Sequence, residues 1–182
     1  MLAVTYHSSV SGQAYKLISP LSGKYQLKNL ATALCSLEIL QKTGLEISSK
    51  TILSGIRKVT KNTGLMGRWQ TIARNPLTIA DIGHNPDGIR EVLEQIALTP
   101  HDKLHFVVGV VNDKDVNTML SKLPSNAVYY FCKADIPRGL DAAELAQLAG
   151  RFLLQGKAYP DVKQALAAAR QAARANDLVV VG

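Results

Sequence analysis

The sequence predicts an α/β fold, a mostly parallel sheet with helices on both faces, preceded by a helical segment of a different character. Three observations carry this. After Gly67, short runs rich in Val, Ile and Phe alternate with stretches whose apolar residues recur at helical spacing, the pattern of strands joined by crossover helices. Before that point the charge is lopsided, with eight Lys/Arg in residues 1–67 against Glu38 and Glu46. Between the two lies the polar run Thr60-Lys61-Asn62-Thr63-Gly64, which reads as a linker. The expected division is 1–64 and 65–182.

The first helix is expected from Gln26 to about Thr43. Leu27, Leu30, Ala31, Leu34, Leu37 and Leu40 fall on one face as a core stripe, and Gly44 supplies the stop. A second helix runs from about Ser49 to Lys58, with Ser48 as N-cap and Ile52, Leu53 and Ile56 inward. Trp69 to Ala73 and Leu77 to Asp81 read as strands separated by an Asn75-Pro76 turn. Asn85 then caps a helix with Pro86 in its first turn, where a missing N–H costs nothing, and Ile89, Val92, Leu93, Ile96 and Ala97 form its apolar face. The unit repeats as strand Leu104 to Val108, helix Asp115 to Leu123 and strand Ala127 to Phe131. Two helices follow, around 141–154 with Leu145, Leu148, Ala149, Phe152 and Leu153 inward, and around 161–175 with Val162, Ala165, Leu166 and Ala169. Strand Leu178 to Val181 comes last, and an end directly after it leads us to expect a piece of a longer chain.

Composition narrows the function classes. With 47% hydrophobic and 19% charged residues the chain is not of a disordered kind. No apolar run approaches the roughly 20 residues of a membrane helix, and the start has no basic region followed by an apolar stretch. A cytoplasmic protein is expected. Cys35 and Cys132 have no partner at metal-ligand spacing and are expected to be reduced, mostly buried thiols. The formal charge of +7 suits a solvated face or an anionic small molecule. Nucleic acid is the weakest reading, because no aromatic residues interleave a basic run.

The most informative stretch is Gly67-Arg68 followed, thirteen residues after Arg68, by Asp81-Ile82-Gly83-His84-Asn85-Pro86 at a strand-to-helix junction. A carboxylate at a strand end can accept hydrogen bonds from ribose hydroxyls, and a guanidinium pairs with phosphate oxygens through its planar fork. Helix N–H groups at the junction suit a carboxylate or phosphate. Each residue also has a plainer reading: Asp81 bonding loop amides, Arg68 in a surface ion pair, His84 satisfied within its loop.

The stretch GRWQTIARNPLTIADIGHNPDG resembles the C-terminal domain of the Mur ligase superfamily, in the form found in folylpolyglutamate and dihydrofolate synthases. Upstream, LSGKYQLKNLATALCSLEIL is similar to the segment that ends the central ATPase domain of these enzymes. Further on, VVGVVNDKDV is similar to their Gly-x-x-x-Asp-Lys-Asp stretch, and DIPRG to their Pro-Arg-Gly loop. Tyr25 stands where the family usually has His, and Ile82-Gly83 replaces Gly-Ala.

The resemblance implies a Rossmann-like, mostly parallel sheet in 65–182 and the end of an ATPase domain in 1–64. It implies ATP-driven amide synthesis, in which the carboxylate of a folate or dihydropteroate is phosphorylated and the amino group of L-glutamate displaces phosphate. On the family pattern Asn29 would contact adenine, Arg68 the nucleotide phosphates and Asp81 the ribose, while His84 lies where nucleotide and glutamate meet. No catalytic residue is assigned within the chain. Mg2+ ligands and the Gly-x-x-x-x-Gly-Lys-Ser/Thr phosphate loop are expected in further N-terminal and central domains, so the chain alone should be inactive. Two alternatives remain. A Mur-type cell-wall peptide ligase more often carries Asp-x-Tyr-Ala-His-Asn-Pro, and a non-catalytic nucleotide-binding module would need only the sheet.

Overall fold

The computed structural model describes residues 1–112 and 116–182. The chain divides into two compact units, Met1–Trp69 and Gln70–Gly182.

The first unit opens on a hairpin that lies before the first expected element. Strands β1 (Leu2–His7) and β2 (Ala14–Ser19) pair antiparallel with Tyr6 opposite Tyr15 and Val4 opposite Leu17. Along β2, Tyr15, Leu17 and Ser19 are buried while Ala14, Lys16 and Ile18 are exposed, the alternation of a strand with one packed face. Helices α1 (Gln26–Lys42), α2 (Ser49–Arg57) and α3 (Val59–Thr63) follow. Ser48 caps α2 by accepting from the Thr51 N–H, as expected. The stretch expected to be a linker forms α3, closed by Gly64 in the left-handed region.

The α1 stripe is only partly core. Leu30 and Leu34 are buried, but Leu27 and Leu40 are 39% and 44% exposed. The buried face rotates to include Glu38, whose carboxylate accepts from the hydroxyls of Ser8 at 2.6 Å and Ser11 at 2.7 Å. Desolvation alone would raise the Glu38 pKa, yet these hydroxyls together hold it below the usual value. A charge on the α1 core face is tolerated because the loop after β1 supplies its partners.

The second unit is a six-stranded sheet in the order β3-β4-β8-β5-β6-β7, formed by β3 (Gln70–Arg74), β4 (Leu77–Ala80), β5 (Leu104–Val108), β6 (Val128–Cys132), β7 (Gly156–Tyr159) and β8 (Leu178–Val181). Only β3 runs antiparallel; the other neighbours pair parallel. Strand β5 is buried at every residue, as a strand covered on both faces must be. Helix α7 (Val162–Ala172) covers one face, where Ala165 and Ala169 pack on Val107, Tyr130, Cys132 and Val179. Small side chains on α7 let it approach closely. The opposite face carries Phe106, Val108 and Val180 beneath α4 (Pro86–Ala97) and α5 (Val116–Leu120).

Three helix limits differ from expectation. Helix α5 ends at Leu120, short of the expected Leu123, and its expected start, Asp115, lies outside the described residues. Helix α6 (Ala142–Gly150) ends before Leu153, which is 75% exposed at φ 60°, so Leu154 rather than Leu153 is buried. Helix α7 stops at Ala172. Strand β7 was not expected at all, because three of its four residues are exposed and no alternation marks it. Cys132 is buried, with its thiol pushed up to about 11 by burial, and Cys35 is half-buried. Among the described residues no helix is long and apolar enough to cross a membrane.

Gly156 explains how β7 joins the sheet. It sits opposite Tyr129, and a Cβ at this position would overlap the Tyr129 carbonyl oxygen. The Tyr129 N–H is itself held by the Gln155 carbonyl at 3.0 Å, so the overlap has no soft partner. Gly156→Ala is expected to destabilise the chain by about 1–3 kcal/mol, as overpacking does. Urea unfolding checks it, and a variant within about 0.5 kcal/mol of the parent would show that the edge strand yields.

Candidate functional site

In a sheet of parallel strands the backbone N–H groups and loops converge beyond the carboxyl ends, where ligands are received. Here β4, β8, β5 and β6 all end on one side, and the loops after β4, β5 and β6 border a cavity of about 540 Å3. Its sheet-facing wall is apolar, with Phe106, Val108, Ile89 and Met119 among its residues. Polar groups come from the loops: Asp81, His84, Asn85 and Arg138.

Asp81 continues β4, its N–H donating to the Val181 carbonyl at 3.0 Å, and is only 4% exposed. Its Oδ1 accepts from the Gly83 N–H at 3.0 Å. The carboxylate therefore shapes the loop as well as facing the cavity, which is the plainer of its two readings realised by one oxygen. The tight turn brings Gly83 against Gly88, where a Cβ would lie 3.0 Å from the Gly88 carbonyl oxygen.

His84 is exposed, with Nδ1 3.1 Å from the Ile82 carbonyl oxygen. A carbonyl only accepts, so Nδ1 is the donor in this contact. The Asn85 side chain accepts from the Gly88 N–H at 2.7 Å and Pro86 occupies the first turn of α4. This capping anchors the loop that holds His84.

Asn29 and Arg68, the other two expected site residues, belong to the first unit. Asn29 is exposed on α1 and donates to the Gln26 side chain at 3.1 Å; the Arg68 guanidinium donates to the Gly67 carbonyl at 3.3 Å. The structure thus brings Asp81 and His84 to one cavity. It adds Arg138 of the Pro-Arg-Gly run, which is not among the expected site residues. The Asp-Lys-Asp stretch, 113–115, lies outside the described residues. Among the described residues no group of three or more His, Cys, Asp or Glu side chains stands together as a metal site. No metal ligand is assigned to them.

Residues 67–182 match the family described as Mur ligase, glutamate ligase domain. The chain belongs to the Mur ligase family. Among its relatives, the dihydrofolate synthase/folylpolyglutamate synthase of Escherichia coli K12 is 34% identical over 155 residues, which is 84% of this chain and 34% of the relative. The structure of E. coli FolC in complex with DHPP and ADP superposes with a TM-score of 0.73 at 30% identity, covering 94% of this Mur ligase chain and 39% of that one. A bifunctional folylpolyglutamate synthase/dihydrofolate synthase with Mn, AMPPNP and L-glutamate bound gives 0.75 at 30% identity, over 94% and 40%. This Mur ligase chain therefore spans about a third of the E. coli relative's length.

Proposed function

We propose that residues 1–64 end a central ATPase domain and 65–182 form the C-terminal domain of a cytoplasmic ATP-dependent ligase that adds L-glutamate to a folate or dihydropteroate carboxylate. The observation that carries this reading is the convergence of Asp81, His84 and Arg138 on one cavity at the strand ends of a glutamate ligase domain. ATP and Mg2+ are its cofactors, with the phosphate loop and metal ligands supplied by other domains of the same protein. Neither nucleic acid nor a membrane takes part.

The chemistry is one phosphoryl transfer and one acyl transfer. A carboxylate oxygen of the folate attacks the γ-phosphorus, ADP leaves, and the glutamate nitrogen then attacks the acyl carbon. The C–O bond to phosphate breaks and the amine gives up a proton. In this proposal His84, on the side where nucleotide and glutamate meet, orients the amine and takes that proton through Nε2 of its neutral ring. Arg138 is a bidentate partner for an amino-acid carboxylate. Asp81 takes the ribose, with Arg68 at the phosphates and Asn29 at adenine on the first unit. Most of the rate comes from holding amine and acyl phosphate together.

The test is ADP release by the ligase that contains this chain. Release should require both L-glutamate and a folate or dihydropteroate. Arg138→Ala should raise the glutamate KM by about 10–100-fold, the loss of one charge-assisted pair, with the ATP KM unchanged. Release that ignores glutamate would overturn the assignment.

A further inference from the structure

Arg138 is exposed and stands on a loop, yet its backbone is held from three directions. Ile136-Pro137-Arg138-Gly139 is a turn closed by the Gly139 N–H donating to the Ile136 carbonyl at 2.9 Å. Proline at the second position fixes its own φ in advance. The turn is laid against the loop that follows β5. The Asn112 N–H donates to the Arg138 carbonyl at 2.8 Å, the Leu140 N–H donates to the Val110 carbonyl at 2.8 Å, and Val111 and Gly139 form an antiparallel bridge. Leu140, 3% exposed, anchors the end of this strap in the core.

Gly139 is the tightest point. A Cβ there would overlap the Ala134 carbonyl oxygen and lie 3.2 Å from that of Ile136. Its φ is not in the left-handed region, so what the position demands is the absence of a side chain rather than an unusual backbone. The carbonyls of Ala134 and Ile136 are both tied into the turn, since Ile136 donates to Ala134 at 2.8 Å and Ile136 accepts from Gly139. A methyl group could be admitted only by opening the turn, and opening it moves Arg138.

We propose that Gly139 is a positioning residue for the amino-acid side of the site. By letting the loops after β5 and β6 close on each other, it fixes where the Arg138 guanidinium meets the carboxylate of the incoming amino acid. This role rests on the ligase function proposed for the cavity.

A double-mutant cycle tests it in the ligase that contains this chain, with KM for L-glutamate, KM for ATP and Tm read for each variant. Gly139→Ala should raise the glutamate KM by about tenfold or more, with the ATP KM within about twofold. Arg138→Ala combined with Gly139→Ala should be no worse than Arg138→Ala alone, because the glycine acts through the arginine. Asn112→Pro removes one strap hydrogen bond without adding bulk to the turn, and it should raise the same KM in the same direction. An unchanged glutamate KM in Gly139→Ala, or effects that multiply in the double variant, would sink the positioning role while leaving Arg138 in place. An Arg138→Ala enzyme with normal glutamate KM would remove the carboxylate anchor itself, and the role of Gly139 with it. Should Gly139→Ala fail to fold, Asn112→Pro with unchanged KM decides against the proposal.

Discussion

Asp81→Ala is expected, on the function proposed above, to raise the KM for ATP by about 10- to 10,000-fold, the loss of one or two charge-assisted hydrogen bonds at about 1.5–3 kcal/mol each. The KM for glutamate should change far less. Burial complicates the reading of this variant: Asp81 is 4% exposed and one oxygen already holds the Gly83 N–H. Alanine removes that loop contact too, so Tm should fall together with affinity. Asp81→Asn separates the two roles. Its carbonyl oxygen can keep the Gly83 bond, whereas its NH2 group cannot accept from a ribose hydroxyl. Near-parental Tm with a raised ATP KM in Asp81→Asn is the signature of a ribose ligand. Normal ATP KM in Asp81→Asn, with Asp81→Ala losing only stability, would leave the carboxylate as a loop-forming residue.

The parts of the fold that were legible in the sequence are those whose local chemistry and tertiary role agree. Helix α4 is the clearest case: Asn85, Pro86 and the inward Ile89, Val92 and Ile96 each do what their spacing says. Strands β5, β6 and β8 announced themselves as apolar runs because both faces of the sheet are covered. Hairpin β1–β2 and strand β7 did not. The hairpin is short, and its loop residues 8–13 double as ligands for a buried Glu38 thirty positions away in Ser8's case. Strand β7 is an edge whose defining feature is the missing side chain of Gly156. The insertion of the last strand between β4 and β5 has no local signal, being a property of which apolar faces fit.

For the candidate site, the motif placed Asp81 and His84 on one loop, and the structure places both on one cavity. Arg138 lay hidden in plain view. A lone arginine between a proline and a glycine, directly after an apolar strand, is a cation on a rigid turn, and that was the signal available. What spacing could not reveal is the strap, whose partners come from two loops brought together by adjacent strands β5 and β6.

The same holds for His105 and Asp177, which are 72 residues apart and buried at the amino ends of the adjacent strands β5 and β8. Removing this contact carries the second large expected effect. The His105 Nε2 lies 3.3 Å from Asp177 Oδ2, its Nδ1 lies 2.9 Å from the Tyr130 hydroxyl, and Asp177 also accepts from the Arg174 N–H at 2.8 Å. With Asp177 ionised, Nε2 carries the proton and Nδ1 accepts from Tyr130, so the neutral ring satisfies every partner. Burial holds the His105 pKa below its ordinary value of 6.5, against the opposing pull of Asp177. The Arg174 N–H chiefly holds Asp177 below 3.8. For both groups the unfolded chain binds the proton more tightly, so both lose stability in acid. The His105 contribution is complete above about pH 6.5 and disappears as pH falls below it toward the depressed value; that of Asp177 is complete above about 3.8 and disappears below. His105→Leu leaves a buried carboxylate with one partner fewer and should cost about 3 kcal/mol, or roughly 10 °C in Tm. It should also flatten the loss of stability expected of the parent between about pH 7.5 and 5.5. Urea unfolding of parent and variant across that range decides the matter. A parent that gains stability on acidification would mean that the ring is charged and paired with Asp177 in the folded chain, reversing the sign of the effect.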